Sequence, residues 1–147
     1  PRRQAIATYL HKMKKEGLLE YYILSMTADK IDTYGISVCI QKMIEQGLQK
    51  ITYKKENLVL KLDGGLYAPA EYIQETIIKG DDREPVISCA SILAKVYRDT
   101  YMKKQSLLYP EYGFEHHVGY GTQAHRDAIK KNGICVLHRK TFCRNSL

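Results

Sequence analysis

The chain has few cysteines, no long hydrophobic run and no low-complexity segment, and each absence argues against a class of protein. Its four cysteines are widely scattered, unlike those of a small secreted domain built around disulfides. We therefore expect free thiols and a reducing cytoplasm. No apolar run approaches the roughly 20 residues that span a bilayer. The chain has no internal repeat of the kind that forms a solenoid and no compositionally biased tract of the kind that is disordered.

Basic residues outnumber acidic ones, and this charge balance indicates which kind of partner the protein binds. Lys and Arg total 23 against 16 Asp and Glu, which gives a net charge of +7 and a pI near 9.2. This balance favours a polyanionic partner, with a merely soluble basic protein as the alternative. The 147 residues, 44% of them hydrophobic, suit one domain over residues 1–147 with its own core.

Cys135, His138 and Cys143 have the ligand types of a zinc site. Their spacing, C-x2-H-x4-C, lacks the second ligand pair that a structural zinc site normally has. The spacing therefore favours packing over metal binding. We expect the same inert packing of Cys39 and Cys89, which lie inside helix-like apolar patterns.

Apolar periodicity predicts alternating helices and strands. Helices are expected at residues 2–16, 37–47 with Ser37 as cap, 88–104, and 122–131 with Thr122 as cap, and Thr27 is expected to cap a short turn that runs to residue 31. Strands are expected at residues 18–26, 58–62 and 72–80. The second strand is almost wholly apolar, which is typical of a strand covered on both faces. The alternation indicates the α/β class, with a turn-rich loop at 109–122 and an irregular tail from 134.

Two aspartates follow predicted strands. Asp63 comes directly after the 58–62 strand, and Asp81 comes directly after Gly80. Because ligands of open α/β sheets bind at the carboxyl ends of strands, we expect the two carboxylates to converge. Two such charges repel unless a cation lies between them, and oxygen ligands select Mg²⁺ or Mn²⁺. The alternative is a pair of turn-forming aspartates beside glycines.

Asp82 directly follows Asp81. Successive side chains of an extended backbone point to opposite faces, so only one of these two aspartates is expected at the site. The other is predicted to be solvated. Gly80 is expected to let the chain turn sharply before them.

The predicted 88–104 helix carries a basic face. Ser91, Lys95 and Arg98 recur at i, i+4 and i+7, which places them on one side where a phosphate backbone could lie. The alternative is a solvated face on which Asp99 pairs with Lys95 and Lys103, and for Asp99 this is the interpretation that we favour.

Tyr120 stands between two glycines in "EHHVGYGT". The glycines allow a sugar or another backbone to come close to its ring. The alternative is a loop aromatic packed on the core.

The order of "LDG", "KGD", "SCASILAKVYRD", "YPEYGF", "HVGYGT" and "HRKTF" resembles that of ribonuclease HII, the type 2 ribonuclease H family. The resemblance covers nearly the whole chain. It implies a ribonuclease H-like fold, a mixed sheet flanked by helices, whose first strands are absent from an amino-terminally truncated sequence.

The resemblance also implies roles for single residues. Asp63 and Asp81 match two of the family's four acidic ligands for Mg²⁺ or Mn²⁺, and Asp82 matches a position that need not be acidic. The other two acids belong to a glycine-rich amino-terminal motif that this sequence does not contain. Tyr120 matches the tyrosine beside the RNA-to-DNA junction, and the helix that faces nucleic acid carries Ser91, Lys95 and Arg98.

The implied activity is hydrolysis of the phosphodiester on the 5′ side of a ribonucleotide in a hybrid or DNA duplex, leaving a 3′-hydroxyl and a 5′-phosphate. The implied partners are RNA/DNA hybrids and ribonucleotide-containing DNA. With two of four ligands, the chain alone is expected to be inactive. The alternatives are a non-catalytic nucleic-acid-binding module, using charge and twelve tyrosines, and a basic α/β domain that binds a protein.

Overall fold

The computed structural model describes residues 2–143, which divide into two compact units. The first unit comprises the chain up to Ser25 together with Ile40–Val96, and the second comprises Met26–Cys39 and the chain from Tyr97 onward. No helix of the described chain is long and apolar enough to cross a membrane.

The described residues form helices and a small sheet. The helices are α1 (Arg2–Lys15), α2 (Ala28–Tyr34), α3 (Ile36–Leu48), α4 (Gly80–Arg83), α5 (Pro85–Ser106), α6 (Phe114–His117), α7 (Gln123–Asn132) and α8 (Lys140–Cys143). The strands are β1 (Val59–Asp63) and β2 (Ile73–Ile77), and 3-10 turns form at Lys55–Asn57 and Pro110–Tyr112. This mixture confirms the predicted α/β class.

Thr27 and Thr122 are caps as predicted, although Thr27 caps a helix and not the expected short turn. The Thr27 hydroxyl accepts from the Lys30 N–H at the start of α2, and the Thr122 hydroxyl accepts from the His125 N–H at the start of α7. Ser37 is not a cap, because α3 already begins at Ile36. The longest helix begins at Pro85 and not at Ser88, since proline suits the first position of a helix.

The first unit packs α1 against the amino-terminal half of α5. Ala7, Leu10 and Leu93 are buried there. Leu19, Tyr21 and Ile23 pack against the same cluster, although the predicted strand at residues 18–26 is wrong. A strand needs hydrogen bonds to a neighbouring strand, and in the described chain only β1 and β2 pair with each other. The alternating aromatic and branched residues therefore pack without a ladder.

The sheet of the first unit consists of β1 and β2, which pair in parallel with Asp63 opposite Ile77. The prediction that β1 is covered on both faces is wrong for these residues, because Val59 is 63% exposed. β2 ends at Ile77, three positions before the predicted end at Gly80. The backbone turns at Lys79, which has a left-handed φ of 55°.

The second unit has its own apolar cluster. Met102 of α5, Ile129 of α7 and Cys143 of α8 are buried together with Tyr112 and Phe114. The rings of Tyr112 and Phe114 stack with centroids 5.3 Å apart. The loop predicted at residues 109–122 thus contains a 3-10 turn and α6, and the predicted irregular tail contains α8.

Candidate active site

Asp63 is tied to the start of α4 by a hydrogen bond. As the last residue of β1, it points Oδ1 at the Gly80 backbone, whose N–H donates to it at 2.7 Å. Asp81 is the next residue along the chain. Asp63 therefore lies beside the residue that immediately precedes Asp81.

Gly80 is needed for space and not for the turn. It is buried, and a Cβ added there would stand 2.6 Å from Ile87 Cδ1 and 3.2 Å from Asp63 Oδ1. The left-handed residue is Lys79, so the prediction that Gly80 supplies the sharp turn is wrong. The missing side chain instead allows the Asp63 carboxylate to reach the backbone N–H of α4.

Lys95 pairs with Asp81 rather than with Asp99. Its ammonium lies 3.5 Å from Asp81 Oδ2, and both side chains are partly exposed. Among the ion pairs of the described residues, none joins Asp99 to Lys95 or Lys103, so the expected i,i+4 pairs are wrong. An exposed pair of this kind stabilises little, but it balances part of the acidic charge at the site.

The neighbours of Asp81 and Lys95 on the helices differ in exposure. Asp82 is exposed, as the prediction of one solvated aspartate requires, although both aspartates lie on α4 and not on extended backbone. Ser91 is partly buried one turn before Lys95 on α5.

The donor set fits a hydrated hard cation. Within residues 2–143, no three or more His, Cys, Asp or Glu side chains cluster as a metal site, and this includes Cys135, His138 and Cys143. Asp63 and Asp81 supply two carboxylates, and Mg²⁺ is often bound through one or two carboxylates plus substrate phosphates while it keeps several waters. Carboxylate oxygens and a neighbouring lysine are therefore suited to Mg²⁺ or Mn²⁺ with a phosphate.

In the second unit, Arg98 is attached to the loop that carries Tyr120. Arg98 Nε donates to the Val118 carbonyl at 3.4 Å. Tyr120 is 66% exposed, so the alternative of a core-packed tyrosine is wrong. Val118 has a left-handed φ of 44°, which is unusual for a β-branched residue and typical of functional loops.

A chain of hydrogen bonds through two buried histidines holds the loop that carries Tyr120. Because a carbonyl can only accept, His125 Nδ1 donates to the Tyr120 carbonyl at 2.9 Å. His125 Nε2 then accepts from His138 Nε2, which lies 3.0 Å away. The Cys135 N–H donates to His138 Nδ1 at 2.9 Å, which leaves Nε2 as the donor of that ring. Both imidazoles are therefore neutral, each in one tautomer.

The surroundings of the histidine chain keep it uncharged. Burial lowers the pKa of both His125 and His138, and neighbouring imidazoles add to the lowering. The His117 ring stacks on His125 with centroids 4.3 Å apart. His117 Nε2 donates to the Tyr112 carbonyl at 2.8 Å, and its Nδ1 accepts from the Gly119 N–H at 3.2 Å. The loop is thus held at two successive residues.

Comparison with known proteins identifies the family. A profile of ribonuclease HII matches residues 1–145. The chain belongs to the ribonuclease HII family. The match and the α/β elements together confirm the ribonuclease H-like fold expected from the motif order.

Individual ribonuclease HII proteins are similar over most of this chain. The protein of Sulfurovum sp. (strain NBC37-1) is 45% identical over 123 residues, which are 84% of this chain and 63% of the relative. The protein of Clostridium perfringens (strain 13 / Type A) is 40% identical over 138 residues, which are 94% of this chain and 50% of the relative. The protein of Prochlorococcus marinus is 44% identical over 117 residues, which are 79% of this chain and 60% of the relative. The chain spans about half to two thirds of these relatives.

The residues that hold the Tyr120 loop were not predicted from the sequence motifs. His125 follows "GYGT" and His138 lies in "LHRK". The hydrogen bond between them joins residues 13 positions apart, so the sequence pattern does not predict it. Only the spacing of His125 five residues after Tyr120 gave a local signal. The Lys95 bond to Asp81 had none, because it joins α5 to α4.

Proposed function

We propose that the protein carrying this chain is a metal-dependent endoribonuclease. It hydrolyses the RNA strand of RNA/DNA hybrids and DNA with embedded ribonucleotides, and it leaves 5′-phosphate and 3′-hydroxyl ends. The observation that supports the proposal is the bond from the Gly80 N–H to Asp63, which holds Asp63 beside the residue before Asp81 in a chain of the ribonuclease HII family. Residues 1–147 form part of one domain of that enzyme.

Each site residue has a proposed role. Asp63 and Asp81 hold Mg²⁺ or Mn²⁺, which supplies an activated water and stabilises the leaving oxygen when bound. Lys95, which pairs with Asp81 in the structure, would offer its ammonium to a substrate phosphate. Ser91 and Arg98 contact the strand backbone, and the exposed ring of Tyr120 packs against the sugar beside the RNA-to-DNA junction.

The chain alone is proposed to be inactive. The resemblance to the family implies four acidic ligands, and Asp63 and Asp81 are two of them. Four free cysteines suit a reducing cytoplasm, where ribonucleotide excision during DNA replication takes place. No obligate protein partner is proposed.

Cleavage of a duplex with a single ribonucleotide tests the function. We expect no cleavage by the chain itself in Mg²⁺ or Mn²⁺, and cleavage on the 5′ side of the ribonucleotide once the amino-terminal segment of the Sulfurovum relative is joined to it. Product ends are identified by ligation and by phosphatase treatment. A chimera that binds the duplex without cutting it, with or without Asp63, would favour the non-catalytic binding module.

A further inference from the structure

The second unit contains a cavity beside the Tyr120 loop. Its volume is about 620 Å³, and no Asp or Glu lies among its lining residues. Three arginines, Arg98, Arg126 and Arg139, line it together with Tyr120. A cavity with several guanidinium groups and no carboxylate attracts an anion.

Two of these arginines are held in place by the loop itself. Arg98 Nε donates to the Val118 carbonyl. Arg126 Nη1 donates to the Gly121 carbonyl, and its Nη2 donates to Gln123 Oε1 at 2.8 Å. A guanidinium has five N–H donors, so each arginine keeps donors for a ligand. Because the loop already fixes both side chains, less conformational entropy is lost when an anion binds.

The positive charge of the cavity is poorly balanced. Within the described chain, none of the three arginines lies within 4.0 Å of a carboxylate oxygen. Hydrogen bonds from Thr141 and Lys140 lower the pKa of Asp32, and the charge of Arg139 adds to the lowering. The Asp32 carboxylate itself accepts from the N–H groups of Lys140 and Thr141. Arg98 and Arg126 therefore carry most of the unbalanced charge.

The geometry points to a subsite for one backbone phosphodiester, bound by Arg98 and Arg126 with Arg139 on the same cavity. We propose that it takes a phosphate next to the sugar that Tyr120 contacts, and not the phosphate that is cleaved. Guanidinium forks match phosphate oxygens in pairs, and the exposed Tyr120 ring presents an aromatic face to the same nucleotide. This inference rests on the proposed function and adds Arg126 and Arg139 to its substrate contacts.

Binding of a fluorescent duplex with one ribonucleotide tests the subsite. Anisotropy is measured on the chain without divalent ions over a range of salt concentrations. Arg126→Gln is expected to weaken binding roughly 10-fold and to reduce the slope of log K against log salt by about 0.9. Lys130→Gln is the matched control, because it removes a positive charge from an exposed position on the same helix. It is expected to change binding less than about two-fold.

Arg126→Lys separates charge from a structural role. It keeps the charge and loses the fork, so we expect weaker binding with an unchanged salt slope. Equal binding by Arg126→Gln and Lys130→Gln would overturn the subsite. Stabilisation of the chain by inorganic phosphate, without any effect of Arg126→Gln on duplex binding, would also overturn it and indicate a site for free phosphate.

The nuclease proposal fails separately from the subsite. If Arg126→Gln weakens binding but the chimera does not cleave, the subsite stands and the enzymatic proposal falls. If the chimera cleaves and Arg126→Gln leaves both the affinity and the salt slope unchanged, only the subsite falls.

Discussion

Gly80 determines, at the scale of single residues, how closely Asp63 approaches α4. The carboxylate accepts from the Gly80 N–H at 2.7 Å, and Ile87 packs into the space that a side chain on Gly80 would fill. A small residue at this position thus serves both the packing of α5 and the position of a proposed metal ligand.

Gly80→Ala is expected to disturb packing and site together. The new Cβ would stand 2.6 Å from Ile87 Cδ1, so Ile87 has to move and the free energy of unfolding falls by about 1–3 kcal/mol. Urea denaturation followed by circular dichroism measures the change. Gly65→Ala is the control, since a Cβ there meets nothing within 4 Å, and its effect should stay within about 0.5 kcal/mol. Equal stability of the two variants would contradict this account of Gly80.

At the scale of elements, α7 begins directly after the Tyr120 loop and depends on its cap. The Thr122 hydroxyl accepts from the His125 N–H at 3.3 Å, so the same residue that starts the helix also places His125 under the loop. The start of α7 and the conformation of the loop are therefore coupled.

Thr122→Ala is expected to lower the free energy of unfolding by about 1 kcal/mol, because the helix loses its side-chain cap. Thr122→Ser keeps the hydroxyl and should lose little. Urea denaturation of both variants makes the comparison. Identical losses for the alanine and serine variants would show that the hydroxyl bond does not matter.

The histidine chain predicts a dependence of stability on pH. The pKa values of His125 and His138 are lowered by burial. The two imidazoles therefore take up protons at about pH 6.5 in the unfolded chain but only at lower pH in the folded chain. Stability is therefore complete above about pH 6.5 and is lost as the pH falls toward the lowered values. Protonation also sets N–H against N–H across the 3.0 Å contact between the rings.

Urea denaturation at about pH 7.5 and about pH 5 measures this effect. The double variant His125→Gln, His138→Gln should lose less stability between the two pH values than the unchanged chain does. His116→Asn removes an exposed histidine and should leave the dependence as it is. A double variant with the full acid sensitivity of the unchanged chain would contradict the role of the buried pair.

Local signals allow some elements to be predicted and not others. Thr27 and Thr122 are recognisable as caps because a cap bonds to a backbone group three residues away. The segment at residues 18–26 has strand composition, but a strand forms only when another strand pairs with it, and composition does not reveal that. The short helix at "GDDR" has no such signal, because its start depends on the bond between Gly80 and Asp63.

The candidate site is predictable in part for the same reason. Asp63, Asp81 and Tyr120 can be proposed from the sequence because they lie in short motifs at the ends of predicted elements. The Lys95 contact with Asp81 and the place of Arg126 in the cavity result from tertiary packing. Helical spacing assigns Lys95 a partner on its own helix, and the structure gives it one on α4.

At the scale of the whole molecule, the net positive charge and the acidic pair act on the same proposed ligands, a polyanion and a divalent cation. A net charge of +7 draws a polyanion, while Asp63 and Asp81 oppose it unless a cation is bound. A basic protein with a local acidic pair is therefore expected to bind nucleic acid and divalent ions cooperatively, since each reduces the electrostatic cost of the other.

The most direct test of this account is the effect of Mn²⁺ on backbone amide signals in NMR spectra of the chain. At low Mn²⁺ occupancy, the amide signals of Gly64 and Gly80 should broaden first, and Asp63→Asn and Asp81→Asn should each abolish this selectivity. Asp82→Asn should leave it unchanged, because that side chain is exposed. Selective broadening that persists in both the Asp63→Asn and Asp81→Asn variants would contradict a shared divalent-cation site.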